Sequence, residues 1–280
     1  GVDPKDFNYN LSATFTRPGV ITPFTDFNAA LGATRETPDT YPETAVTAKV
    51  GLTHAITEQL SASLGLGVTA SRDEDSQGTD KFLFTGLPLG ITYDSRDDKT
   101  DPHEGFNAKA SLEPIYEANF GNAGVIVDAS VASYWPVDRD GRFVIAGRLA
   151  AGSILGAPID EMPNGRLYYA GGGSTARGPA YRRLGPDKNG AVTGGLSHLE
   201  GSLEMRAKVT ESFGVVGFVD AGNAFASSYP DFSESLRLAA GGGLRYYTGL
   251  GPVRLDVAVP LDPKPGDSAF GLYIGLGQSF

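Results

Sequence analysis

Few residue types in this chain could carry out chemistry, and they lie far apart in the sequence. The chain contains no cysteine, which excludes disulfides, thiolate metal sites and cysteine nucleophiles. The three histidines, His54, His103 and His198, lack the spacing of metal ligands. Glycines 171–173 are not followed by the lysine of a phosphate-binding loop, and no Gly-x-Ser-x-Gly nucleophile motif occurs. We therefore predict no catalytic residue, no metal site, no cofactor and no enzymatic activity.

The charge of the chain excludes a further class of function. The net charge is -10 and the pI is near 4.8, whereas nucleic-acid-binding proteins need a clustered basic face. Part of the negative charge lies in the run Arg-Asp-Glu-Asp at 72–75. We predict a solvated loop there, with an outward-facing cluster for divalent cations as the alternative. Nucleic acid is not expected as a partner.

The elements that must position any site are strands, because apolar and polar side chains alternate along most of the chain. Near the carboxyl terminus the apolar residues share one parity: Phe270, Leu272, Ile274, Leu276 and Phe280. Successive side chains of a strand point to opposite faces, so we predict a strand that runs to the terminus. No run of about 18 apolar residues is present, which excludes a helical membrane protein. Periodicity alone leaves a soluble sandwich and a transmembrane barrel open.

The connections between strands favour the barrel. Short connections, such as 138–141 and 248–251, alternate with long ones at 156–190 and 224–235. Short turns at one end and long loops at the other are typical of transmembrane antiparallel β-barrels. We predict one all-β domain over 1–280 with about thirteen strands, at 7–17, 23–35, 43–55, 59–71, 81–94, 105–118, 122–136, 141–155, 203–209, 212–225, 236–246, 253–261 and 270–280.

An odd number of strands carries a further expectation. Bacterial single-chain barrels have an even number of strands, with both ends on the periplasmic side in the usual case. Thirteen strands would place the start of this chain outside the cell. We therefore predict that an odd number of strands, three in the simplest case, precedes this chain in a longer protein.

Four segments resemble a single protein family and follow one another in the family's order. The turn at 93–106 (Tyr-Asp-Ser-Arg-Asp-Asp, later Gly-Phe), the tip at 171–178 (Gly-Gly-Gly-Ser-Thr-Ala-Arg-Gly), the strand at 218–225 and the final hairpin at 251–277 carry the resemblance. From about residue 80 onward the chain is similar to the bacterial superfamily of outer-membrane assembly and secretion barrels, which includes BamA, TamA and the two-partner-secretion transporters. The final hairpin resembles TamA most.

The resemblance implies a sixteen-stranded barrel of which this chain is the carboxyl-terminal part, preceded by POTRA domains that are absent from it. It also implies that the long loop at about 156–190 folds into the lumen, where Arg177 of the Arg177–Gly178 motif contacts Asp220 on the wall. The alternation agrees, because Asp220 has the parity of an inward-facing residue. Pro179 departs from the family, which usually has an aromatic residue at this position, and Tyr181 follows two residues later.

Two further sets of residues follow from the resemblance. Asp94, Arg96, Asp97 and Gly105 would form the turn motif between two barrel strands. The carboxyl-terminal assembly signal, at a seam that can open sideways into the membrane, would comprise Tyr273, Gly275, Gln278 and Phe280. Glycine-rich strands pair weakly, which is a physical reason for such a seam.

The implied function is assembly or translocation in the outer membrane of a Gram-negative bacterium, without chemistry. A TamA-like factor would insert barrel proteins or move envelope components through the seam, in contact with outer-membrane lipid, nascent client proteins and a TamB-like partner anchored in the inner membrane. A BamA-type assembler and a two-partner-secretion transporter are alternatives within the family. A passive diffusion pore and a barrel lipase are alternatives from other classes.

Overall fold

A single antiparallel sheet makes up most of the chain. The computed structural model describes residues 8–36, 42–74, 78–173, 175–188, 191–264 and 267–280. The strands are β1 (Tyr9–Arg17), β2 (Thr25–Glu36), β3 (Glu43–Ala55), β4 (Leu60–Glu74), β5 (Thr79–Gly86), β6 (Leu89–Asp94), β7 (Gly105–Glu117), β8 (Asn122–Pro136), β9 (Phe143–Leu155), β10 (Asp187–Lys188), β11 (Ala191–Val192), β12 (Ser197–Lys208), β13 (Phe213–Phe225), β14 (Arg237–Thr248), β15 (Gly251–Pro260) and β16 (Gly271–Leu276).

Strands β5 and β6 together form one crossing of the sheet. Gly86 pairs with Gly67 and Leu89 pairs with Leu64, so the register against β4 is unchanged across the break. Pro88 lies between them and has no N–H to donate to the ladder, which explains the interruption. The fourteen strands of the sheet therefore make thirteen crossings in the described part of the chain, and the predicted single strand at 81–94 is confirmed.

The sheet is an up-and-down meander in which each crossing pairs with the next one along the chain. Of the described strands, only β10 and β11 lie outside it, paired with each other. Among the described residues β1 pairs with β2 alone and β16 with β15 alone, so these two strands are the edges of the sheet. No described helix is long and apolar enough to cross a membrane.

The two faces of the sheet are inverted relative to a soluble protein. On β12, Leu203 and Met205 are 57% and 61% exposed, whereas Glu204 and Arg206, which alternate with them, are buried. On β13, Val219 is exposed and Asp220 beside it is buried. Apolar side chains thus face outward and charged ones inward, which is the alternation of a barrel wall in lipid.

The connections differ between the two ends of the sheet. At the lower end the turns at 56–59, 137–142 and 209–212 are short, and the connection at 95–104 is longer. At the upper end the described residues of the segment 156–196, which we call the inner loop, turn back into the concave side of the sheet. Its side chains and backbone contact strands from β2 to β16, so the sheet curves around it.

The last strand is shorter than its sequence pattern predicts. β16 ends at Leu276, and the prediction of a strand running to the terminus is wrong for the last four residues. Gly277 has φ +83°, a conformation that glycine adopts readily, and it turns the chain inward. Gln278 and Phe280 keep the parity of a strand in the sequence, which hides this turn from a periodicity argument.

Candidate functional site: the inner loop and the terminal segment

The tip of the inner loop places Arg177 against the inner wall. The Arg177 backbone N–H donates to Asp220 Oδ2 at 3.0 Å, and its Nε and Nη2 donate to the two oxygens of the same carboxylate at 2.7 Å and 2.9 Å. Both side chains are almost completely buried. A guanidinium that binds a carboxylate with two parallel hydrogen bonds is among the strongest polar contacts in proteins, so this pair fixes the orientation of the tip.

Two more carboxylates complete the surroundings of Arg177. Its Nη1 donates to Glu204 Oε1 on β12 at 2.7 Å and to Asp256 Oδ2 on β15 at 3.3 Å. The ring of Phe218 lies beneath the guanidinium, with its centroid 3.4 Å from Cζ. Strands β12, β13 and β15 therefore converge on one loop residue.

The acidic groups around Arg177 are shared with two arginines of the wall. Arg206 Nε donates to Glu204 Oε2 at 2.9 Å, and Arg245 Nη1 donates to Asp256 Oδ1 at 2.5 Å. Arg206 and Arg245 are 4% and 1% exposed. Both oxygens of Glu204 and of Asp256 are thus occupied, one by the loop and one by the wall.

Backbone contacts place Gly178 close to the last two strands. The Gly178 N–H donates to the Tyr273 hydroxyl at 2.9 Å, and that hydroxyl donates to the Pro179 carbonyl at 3.5 Å. Gly178 has φ +110°, and a Cβ there would lie 2.7 Å from the Ala239 Cβ, so only glycine fits. Tyr181 is 67% exposed, so the aromatic ring against Arg177 comes from Phe218 of the wall.

Further contacts hold the base of the inner loop. The Asn164 N–H donates to Asp73 Oδ2 at 2.7 Å, Arg166 pairs with Glu113 at 3.0 Å and Arg182 pairs with Glu36 at 2.8 Å. Asp73 is 7% exposed at the end of β4, so the prediction of a solvated loop is wrong for this residue. Its inward parity on β4 explains the burial. Residue 75 of that acidic run lies outside the described residues.

The turn motif orders the connection between β6 and β7, at 95–104. Arg96 donates to both oxygens of Asp94 at 2.8 Å, and Asp97 Oδ1 accepts the His103 N–H at 2.9 Å. Gly105 has φ +90°, and a Cβ there would overlap the Ser95 carbonyl oxygen. These contacts give the connection a fixed shape at the lower end of the sheet.

The same connection holds the terminal segment, residues 277–280. The Gln278 backbone N–H donates to the Thr100 carbonyl at 2.9 Å, and its side-chain Nε2 donates to Asp101 Oδ1 at 2.8 Å. Gln278 Oε1 accepts from Arg245 Nε at 2.8 Å. One amide side chain therefore joins the connection to the charged cluster around Arg177.

Phe280 packs inside the sheet, against strands β8 and β9. Its ring lies against the cluster of Ala132, Tyr134, Val144 and Ala146, with 6.4 Å between the Tyr134 and Phe280 centroids. Arg206 Nη2 donates to the Phe280 carbonyl at 3.3 Å. The terminal residue is thus withdrawn from the edge of β16, and Arg206 connects it to Glu204, which Arg177 of the loop tip also contacts.

The comparisons with known proteins can be set against this geometry. A model of the Omp85 superfamily domain matches residues 3–280. The chain belongs to the Omp85 superfamily. BamA from Haemophilus ducreyi lacking POTRA domains 1–3 has 20% sequence identity and a TM-score of 0.79, over 94% of this chain and 61% of that one. CdiB from Acinetobacter baumannii has 15% identity and a TM-score of 0.63, over 99% of this chain and 52% of that one.

Membership in the Omp85 superfamily confirms several predictions. The chain is an all-β, non-enzymatic barrel protein of the Gram-negative outer membrane. It spans between about half and three-fifths of the length of these two solved structures. The closer similarity to TamA, and the strands and POTRA domains expected upstream, stay predictions. Because long loops of such barrels face outward, the upper end of this Omp85 chain is extracellular and the lower end periplasmic.

The histidines of this Omp85 chain are not brought together. His54 Nδ1 lies 2.8 Å from the Thr25 hydroxyl, His103 lies in the 95–104 connection, and His198 Nδ1 lies 3.2 Å from Glu200 Oε1. No group of three or more potential metal ligands is present among the described residues.

Sequence reasoning missed several members of the cluster around Arg177. Glu204, Arg206, Arg245 and Asp256 each lie on the inward face of a strand, and the alternation alone gives that much. Which of them meet depends on which strands face each other across the Omp85 lumen. Their common signal was charge at inward positions of neighbouring strands, which a barrel in lipid must pair.

We predict that the hydrogen bond from Gln278 to Asp101 helps to retain the terminal segment. In a Ser279→Cys background, which gives the chain a single cysteine, Asp101→Ala should raise the rate of maleimide labelling about two- to tenfold, the value of one hydrogen bond. Asp101→Asn keeps an oxygen acceptor and should label at the rate of the parent. Equal rates for Ala and Asn would contradict the prediction.

Proposed function

We propose that this chain is the barrel portion of a TamA-like assembly factor, which inserts outer-membrane barrel proteins or moves envelope components through a seam at β16. It would act without chemistry, in contact with outer-membrane lipid and nascent clients. A TamB-like protein anchored in the inner membrane would be its partner. The observation that carries the proposal is the short final strand, whose outer edge is unpaired among the described residues and whose last residues are withdrawn into the lumen.

The physical argument concerns unpaired backbone groups in lipid. β16 pairs with β15 over only six residues, 271–276, and its other edge offers N–H and C=O groups to a further strand. Each such group costs several kcal/mol in hydrocarbon when it has no partner. A client strand that adds to this edge satisfies those groups, so the edge favours strand addition.

The occupied lumen supports assembly rather than passive diffusion. The inner loop is anchored at its tip by Arg177 and at its base by Arg166 and Arg182, and it lies across the concave side of the sheet. A diffusion pore needs an open aqueous path along the axis. Planar-bilayer recordings separate the two functions: large, steady currents that do not change with Arg177→Ala would favour the pore.

Photocrosslinking at the edge tests the proposal. In the full-length protein, a photoreactive residue replaces Ile274, which is 74% exposed on the outer face of β16. The matched control replaces Leu149, which is 61% exposed on β9 between two paired strands. We expect capture of nascent barrel proteins in growing cells at position 274 and not at 149. Equal capture at both positions, or capture of lipid alone, would contradict the proposal.

A pull-down with the full-length protein tests the partner. Recovery of a TamB-like protein is the result expected for the TamA-like function. Recovery of a set of outer-membrane lipoproteins or of a single secreted substrate would instead favour a BamA-type assembler or a two-partner-secretion transporter.

A further inference from the structure

Arg254 is a half-buried arginine with two unpartnered guanidinium nitrogens in an otherwise well-paired cluster. It lies on the inner face of β15, two residues before Asp256, and its Nε and Nη1 are buried with no hydrogen-bond partner among the described residues. Buried guanidinium nitrogens are almost always hydrogen-bonded, because a buried donor without an acceptor is costly. The missing acceptor therefore calls for an explanation.

The neighbouring carboxylates are already occupied. Asp256 accepts from Arg245 with one oxygen and from Arg177 with the other. Arg245 stands directly opposite Arg254 on β14, which places two positive charges side by side. The cluster contains four arginine side chains (177, 206, 245 and 254) and three side-chain carboxylates (204, 220 and 256), so the arginines outnumber the carboxylates by one.

The Arg254 side chain lies over the next strand. Gly275 pairs with Arg254 across β15 and β16, and a Cβ on Gly275 would lie 2.7 Å from Arg254 Nε and 3.3 Å from Nη2. The side chain thus passes over Gly275, away from Arg245 and toward the edge of β16 that has no partner among the described residues. The glycine leaves the space that this path needs.

We propose that Arg254 is a recognition residue for a client strand added to the edge of β16, and that it binds an Asp or Glu on the inward face of that strand. This inference rests on the proposed function. A strand on that edge would lie about 10 Å from β15, two strand spacings away. Arg254 already spans the first of these spacings, and a carboxylate reaching back covers the second. Carboxylate is the expected group because it matches the planar fork of a guanidinium.

The test measures the preference for a carboxylate directly. The full-length protein, with the photoreactive residue at Ile274, is reconstituted into phosphatidylcholine vesicles. The probe is a ten-residue strand peptide of alternating leucine and threonine in which one threonine is replaced by Asp, Asn or Ala. We expect about tenfold more crosslinking of the Asp peptide than of the Asn or Ala peptides at one position, the value of a charge-assisted hydrogen bond.

Variants assign the preference to Arg254. It should disappear with Arg254→Gln and also with Gly275→Ala, which displaces the guanidinium and keeps its charge. Arg148→Gln, at an inner-face arginine paired with Glu200 at 3.1 Å, is the control and should keep the preference. Folding of each variant is checked by its heat-modifiable mobility on gels. If Arg254→Gln does not fold, the result for Gly275→Ala tests the role of Arg254.

The outcomes separate this inference from the proposed function. Equal crosslinking of the three peptides, or a preference for Asp that survives Arg254→Gln or Gly275→Ala, would overturn the role of Arg254 and leave strand addition at β16 intact. Absence of crosslinking for every peptide would contradict strand addition and, with it, the recognition of a carboxylate.

Discussion

Replacing Arg177 with alanine should lower the free energy of unfolding of the barrel by about 3–5 kcal/mol, the typical cost of removing one partner from a buried ion pair. The change leaves Asp220 without its bidentate partner and removes a hydrogen bond from Glu204 and from Asp256. It also removes the cation that lies over the Phe218 ring. The loop tip should then leave the wall.

The measurement is the unfolding midpoint in detergent, followed by the change in gel mobility when the barrel unfolds. Arg183→Ala is the matched control, because this arginine is exposed in the same loop, and it should change the free energy by less than about 0.5 kcal/mol. Arg177→Lys keeps the charge without the planar fork and should fall between the two. A midpoint for Arg177→Ala equal to that of Arg183→Ala would show that the tip is not held by this contact.

Gly105→Ala should be the second most damaging substitution, because two costs combine at this position. With φ +90°, alanine pays backbone strain of about 1–3 kcal/mol. Its Cβ would also overlap the Ser95 carbonyl, and relieving such a contact typically costs about 1–3 kcal/mol more. The 95–104 connection should lose its shape, and with it the contacts of Thr100 and Asp101 to Gln278.

Gly121→Ala separates the two costs. Gly121 has φ +80°, and a Cβ there would meet no atom within 4 Å, so the alanine variant is destabilised by backbone strain alone. The difference between the unfolding midpoints of the two variants therefore measures the overlap with Ser95. The maleimide labelling rate of Ser279→Cys should rise in the Gly105→Ala background and stay at the parent rate in the Gly121→Ala background. Identical midpoints and labelling rates would contradict the account of the turn.

Much of the sheet could be predicted from the sequence because one face of each strand lies in lipid. The bounds of β8 agree with the predicted 122–136, and those of β13 lie within one residue of 212–225. Alternation of apolar and polar residues is strong there, because a register slip of one residue would place charged side chains in the hydrocarbon of the membrane. The single crossing at 81–94 is predictable in spite of Pro88, because the alternation of apolar and polar residues continues on both sides of this proline.

The charged cluster and the inward turn of the terminal segment could not be predicted from the sequence, because both depend on contacts across the lumen. Arg206 lies 74 residues before Phe280 and donates a hydrogen bond to its carbonyl. Arg245 lies 33 residues before Gln278 and donates a hydrogen bond to its side chain. Nothing in the alternation relates the two residues of either pair. The inward turn of the terminal segment depends on Gly277 and on the packing surface of Tyr134, neither of which alters the alternation. Position in the chain does not reveal which strands face each other.

The central claim of this account is that the inner loop lies in the lumen with its tip against β13. A disulfide tests it directly, because the chain has no native cysteine and a Cβ on Gly222 would lie 3.5 Å from the Ala176 Cβ, within the range of disulfides. We predict that the full-length Ala176→Cys, Gly222→Cys variant crosslinks on mild oxidation, whereas Ala176→Cys with Val216→Cys, lower on the inward face of the same strand, does not. Failure of the first pair to crosslink, or equal crosslinking of both pairs, would contradict the docked loop.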